Sequence, residues 1–133
     1  MYLEMLTEKE RKLFLDLAYQ AMECDGEISN EEQEMITSYE VECQLQGYKR
    51  TQRTEKECVK MLKQSEMPHR RIVLIELTGI WSADNEWKDA ELAMMDRVAA
   101  GLGISATIAS RIRRWSREFR AIIADGFKLL MED

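Results

Sequence analysis

Carboxylates gather at two places in the chain, and they are the side chains whose types and spacing best suit chemistry. Asp25, Glu27 and Glu32 lie in CDGEISNEE, and Asp84, Glu86 and Glu91 in SADNEWKDAE. Oxygen donors of this kind prefer hard divalent cations, Ca²⁺ or Mg²⁺, so these six residues are the candidate metal ligands. DGEISNEE imitates the second half of an EF-hand loop, with Asp25 fifth, Gly26 sixth and Glu32 twelfth. The first position would then be Ala21, which carries no carboxylate, so a standard EF-hand is rejected and a looser carboxylate site is left. Turn and cap chemistry competes for the same residues. Asp25 and Asp84 suit turns, and Glu32 has Ser29 three residues before it, the pattern of a capping box. Glu91 has Lys88 in that place, whose side chain cannot accept a hydrogen bond, so capping explains the second cluster less fully.

The other reactive residue types form no constellation. His69, the single histidine, stands beside Pro68 and Arg70 at a helix start, with no nucleophile or acid tied to it by a motif, and is expected at the surface. Cys24, Cys43 and Cys58 are odd in number and lack CxxC spacing, which indicates reduced thiols rather than a disulfide framework or a zinc site. No phosphate-binding glycine loop, HExxH or GxSxG is present, so a non-enzymatic role is expected. A second candidate surface is basic: Arg111, Arg113, Arg114, Arg117 and Arg120 run along one stretch opposite an apolar seam. It suits a protein partner first, with a glutamate-rich helix earlier in the chain as its counterpart, within the chain or across a homodimer. The net charge of −6 argues against general nucleic-acid binding. No apolar run approaches the length that spans a bilayer, and MYLEMLTEKERK has no signal-peptide core, so no membrane insertion and a cytoplasmic location are expected.

Helices must position these side chains. With one proline among 133 residues and abundant Leu, Met, Ala, Glu, Lys and Arg, composition favours helix over strand, and the length suits one domain over 1–133. Thr7 with Glu10 opens the first helix, whose Leu13, Phe14, Leu17, Ala18 and Ala21 share a face before the stop at Asp25-Gly26. A second, acidic helix runs from about Ser29 to Leu45, with Gly47 ending it. Thr54 and Glu57 open a short third helix. Ser65 and Pro68 announce a fourth, apolar nearly all round from Ile72 to Trp81 and therefore central. The fifth carries Leu92, Met95 and Val98 and ends at Gly101 and Gly103. Ser105 caps the sixth, where Ile108, Ile112, Trp115, Phe119 and Ile122 recur in a four-three spacing until Asp125-Gly126, before a short FKLLM tail. The fold class is thus all-α: a compact bundle of six to seven helices.

The two acidic clusters belong to a repeat. LDLAYQAMECDGEISNEEQEM over LIELTGIWSADNEWKDAELAM, a shift of 59, matches Leu15 with Leu74, Asp25 with Asp84, Glu27 with Glu86, Glu32 with Glu91 and Met35 with Met94. Gly26 faces Asn85, both tolerant of left-handed backbone, and Ile28 faces Trp87. Each copy reads helix, acidic turn, helix, which predicts a pseudo-twofold bundle. An apolar helix, an ADGE-like turn and a glutamate five residues on, twice in one small chain and followed by AAGLGIS at Ala99 to Ser105, resembles the TerB-like family of tellurite-resistance and stress-response systems. The resemblance implies a compact helical bundle that binds metal or scaffolds other proteins rather than catalysing a reaction. Two functions remain open: a module whose acidic turns hold a divalent cation, or a metal-free interaction module that uses the arginine stripe.

Overall fold

In a computed structural model that describes residues 1–83 and 86–132, a short 3-10 turn Leu3–Met5 precedes α1 (Glu8–Glu23), α2 (Asn30–Glu42), α3 (Glu55–Leu62), α4 (Met67–Trp81), α5 (Asp89–Gly101) and α6 (Ala106–Met131). No strand occurs among the described residues. Helix starts follow local chemistry. Thr7, Ser29 and Thr54 each accept from the backbone N–H three residues on, and Glu10, Glu32 and Glu57 return the bond to the cap residue's own N–H. These boxes satisfy donors that the first helical turn leaves unpaired. Ser105 caps α6 by accepting from the Ile108 N–H.

The duplication is visible in the helix boundaries. Shifting α2 by 59 gives Lys88's successor Asp89 as the start and Gly101 as the end, the bounds of α5, and the same shift carries Glu8 of α1 onto Met67 of α4. Around the α1 and α4 pair lies one core, with Phe14, Leu15, Leu17, Val73, Leu74, Leu77 and Trp81 fully buried. Both helices bury apolar side chains on more than one side because other helices cover them, α3 on α1 and α6 on α4 among them.

Two helix ends differ from the expected ones. α2 stops at Glu42 rather than near Leu45: Gln44 takes φ 59°, and the Leu45 N–H closes back on the Glu40 carbonyl at 2.8 Å. A left-handed residue next to the helix end is an ordinary way to satisfy its last carbonyls, and here glutamine fills the place that glycine usually takes. Gly47, at φ 77°, lies in the following loop. α6 passes through Asp125-Gly126 and continues to Met131, so the FKLLM tail is its last turns and not a separate element. A helix-interior glycine costs about 1 kcal/mol relative to alanine, too little to break a helix by itself.

Polar groups fix the segments between helices. Asp16, buried in α1, accepts from the Tyr48 hydroxyl at 3.0 Å, the Thr51 N–H at 3.0 Å and the Thr51 hydroxyl at 2.7 Å, and Arg53 lies 3.3 Å away. One carboxylate thereby holds the loop between α2 and α3 onto the bundle.

Candidate interaction surface

Asp25 lies on the turn between α1 and α2, and its Oδ2 is 2.6 Å from Lys88 Nζ, the residue that precedes α5. The two hairpins of the repeat therefore meet at their corners. Three of the six candidate carboxylates, Asp25, Glu32 and Glu91, engage protein donors. Glu32 accepts from the Ser29 N–H at 3.0 Å, and Glu91 accepts from the Lys88 N–H at 2.8 Å. The second contact corrects the expectation that capping would not explain Glu91. Lysine offers no side-chain acceptor, but the glutamate half of the box needs only the backbone N–H of residue 88. Glu27 and Glu86 are exposed. Asp84 lies outside the described residues, and among those described no three acids, histidines or cysteines converge on a metal-sized site.

Cys24 sits among these charges. Its thiol is pushed up to about 11, first by burial and then by the negative fields of Asp25, Glu91 and Glu32. Burial leads in raising Cys43 and Cys58 to about 11 as well, so all three thiols stay protonated and weakly nucleophilic near neutral pH. His69 is half-buried rather than free at the surface: its Nδ1 is 2.9 Å from Glu10 Oε1, whose own side chain is largely covered. Sequence carried a hint of this pair, because residues 10 and 69 are equivalent under the 59-residue shift.

The arginine stripe keeps neighbouring places on α6, where Arg111, Arg113, Arg114 and Arg117 line one surface hollow and Arg113, Arg117 and Arg120 another. Arg120 donates to the Ala83 carbonyl at 3.0 Å, Arg113 stacks its guanidinium 5.9 Å from the Trp87 ring, and Arg114 lies 4.0 Å from Glu118 one turn on. Arg111 and Arg117 are exposed, and among the described residues no ion pair joins any of the five to α2. The counterpart expected within the chain is thus absent from this arrangement. The C-terminal part of α2 engages other groups: Glu40 accepts from the Gly47 N–H and Glu42 from the Leu3 N–H near the N-terminus.

Sequence reasoning missed the largest feature of α6. A helix of 26 residues spans about 39 Å, and the described residues from 121 onward are all exposed. Yet they are not polar: Ile122 is 68% exposed, Phe127 65%, Leu129 76% and Leu130 79%. The apolar seam continues past the stretch in which Ala109, Ile112 and Ser116 are buried against the bundle. Beside it opens a groove of about 460 Å³ between α2, α4 and α6, walled by Met35, Tyr39, Ile75, Phe119 and Ile123, with Glu76 on its floor. Trp115 stacks on Phe119 at its edge, ring centroids 5.4 Å apart. Extending the four-three spacing beyond Ile122 to Gly126 and Leu129 was the available signal, masked by taking Asp125-Gly126 as a stop.

Comparison of the chain with protein-family models, with curated proteins and with solved structures returns no match. No helix among the described residues is long and apolar enough to cross a membrane.

Proposed function

We propose that this domain is a non-catalytic protein-interaction module that docks an amphipathic helix of a protein partner against α6 and the groove beside it. The observation that carries this reading is the continuity of the exposed apolar face of α6 with the groove. Contiguous exposed apolar surface of this size marks interaction sites, because leaving it in water costs roughly 25 cal/mol per Å². Helix-in-groove recognition needs an apolar trough flanked by charge, and both are present. The trough is walled on one side by α2, which holds five glutamates and no basic residue, and on the other by α6 with Arg120.

The non-catalytic reading is supported by the thiols, which are buried or half-buried and stay protonated near neutral pH. The likeness of the two acidic turns to those of TerB-like domains agrees with a scaffolding role. Of the two functions left open by the sequence, the geometry favours the interaction module, because Asp25, Glu32 and Glu91 at the turn corners already hold protein donors. The test is fluorescence anisotropy of a labelled synthetic amphipathic helix, with lysines along one edge and glutamates along the other, titrated with the protein. Saturable binding that weakens at least tenfold on Phe119→Ala is expected. Absence of saturation at several hundred micromolar protein, or indifference to the substitution, overturns the reading.

A further inference from the structure

We infer that the occupant of this surface is a second copy of the same chain, the last turns of α6 from each copy lying across the groove between α2 and α6 of the other about a twofold axis. The inference rests on the interaction reading above and names its partner.

Three observations point to self-association. The first is the state of the tail. Residues 121–131 continue α6 as helix yet are exposed throughout, without the packing of an apolar face that supplies most helical stability in proteins. Its apolar side chains, Ile122, Ile123, Phe127, Leu129, Leu130 and Met131, have no packing partner of their own that covers them. The tail thus has the form of a ligand for an apolar trough, and such a trough lies on the same molecule, alongside the tail's own helix. A surface that contains both the ligand and the receptor can close isologously in a twofold dimer.

The second is charge. Glu31 and Glu34 are exposed on α2, Glu31 one turn before the groove-lining Met35, and neither has an ion-pair partner among the described residues. Arg111 and Arg117 are exposed on α6 and likewise have none. The two unpaired sets do not meet within the chain. A copy that lays its α6 along α2 of its neighbour brings them together, and the twofold makes the exchange reciprocal.

The third is area. A stable dimer buries roughly 800 Å² on each partner. The large side chains from Trp115 to Met131, most of them about half exposed or more, offer apolar surface of that order.

Sedimentation equilibrium over about 1–200 µM tests the inference. The wild-type chain is expected at twice its 15.6 kDa mass. Ile123→Glu combined with Phe127→Glu is expected to give the single-chain mass, with circular dichroism losing no more than the tail's share of helix. Glu31→Lys with Glu34→Lys, and separately Arg111→Glu with Arg117→Glu, should each weaken the dimer about tenfold, and all four changes in one chain should restore it. That rescue identifies the partner as the chain itself. A wild-type protein that stays at the single-chain mass to 200 µM, or charge variants that leave the dimer constant unmoved, overturns the second copy. The anisotropy titration is independent of that mass: if the synthetic helix still binds, the groove reading survives and only its occupant is wrong.

Discussion

Glu10 and His69 occupy the same place in the two halves of the repeat, and they touch: Nδ1 of the imidazole is 2.9 Å from one carboxylate oxygen and 3.1 Å from the other. Contact between these equivalent positions joins the first turn of α1 to that of α4. Glu10 also accepts from the Thr7 N–H at 2.7 Å, so one side chain both caps α1 and fastens it to α4.

From that dual role follows a pH-dependent cost. Burial alone would raise the Glu10 carboxyl, yet hydrogen bonds from Ser65, Thr7 and His69 outweigh it and hold the group below the usual glutamate value. A depressed carboxyl contributes stability above the unfolded-state value of roughly 4.3, and loses that contribution as the pH falls through the lower folded value. Glu10→Ala should therefore cost about 1.5–3 kcal/mol at neutral pH, the range for hydrogen bonds to a charged group. Urea unfolding of wild type and variant at pH 7 and pH 3 checks the sign. The gap should shrink at the lower pH, and a gap that widens there contradicts the assignment.

How much of this was legible beforehand depended on range. Helix starts were readable because capping boxes at Thr7, Ser29 and Thr54 are three-residue signals whose donors and acceptors are all local. The all-helical fold and the two hairpins followed from composition and from a repeat whose helix bounds obey the same 59-residue shift. What stayed hidden was set by distance or by a competing local cue. The grip of Asp16 on Thr51 and Tyr48 spans more than 30 residues and has no pattern in the chain. Gln44 in left-handed backbone defeats a rule that looks for glycine, and Gly126 inside α6 defeats the same rule from the other side.

Asp16 offers a second prediction. The Tyr48 phenol is pushed up to about 12, first by burial and then by the hydrogen bond it donates to Asp16. Asp16→Asn removes the negative charge that disfavours phenolate, so the Tyr48 titration should move down toward the ordinary tyrosine value of about 10. Ultraviolet titration of the folded protein follows this directly. Asp16→Ala should in addition cost about 2–4 kcal/mol, because several donors in the loop between α2 and α3 lose their common acceptor. A Tyr48 titration unchanged by Asp16→Asn would sink the coupling.

Gly101, the last residue of α5, lies against Val59 of α3. A methyl group there would lie 2.4 Å from Val59 Cγ1, far inside van der Waals contact. Gly101→Ala should destabilise by about 1–3 kcal/mol through overpacking, although alanine is the better helix former. Val59→Ala removes the opposing methyl groups, so Gly101→Ala made in that background should cost close to nothing or stabilise. Chemical denaturation of the two single variants and the double variant closes the cycle. Equal costs in both backgrounds would mean the packing at this contact relaxes without Val59.

The acidic corner gives the prediction that separates the two functions left open by the sequence. Lys88 Nζ sits 2.6 Å from Asp25 Oδ2, already supplying a positive charge where a cation would have to bind. A divalent ion would need to displace that ammonium and also draw Glu32 and Glu91 away from the backbone N–H groups they cap, each loss costing about 1 kcal/mol or more. Titration of the wild-type chain with Ca²⁺ or Mg²⁺ to about 10 mM is therefore expected to give no saturable heat. The fluorescence of Trp81 and Trp87, whose ring centroids lie 6.0 Å apart beside the second turn, should not shift. Lys88→Ala removes the competing charge and should raise any affinity the corner has, which makes it the sensitive variant for the same titration. Saturable heat from the wild-type chain at submillimolar Ca²⁺, abolished by Asp25→Asn, would return the acidic turns to the centre of this protein's function.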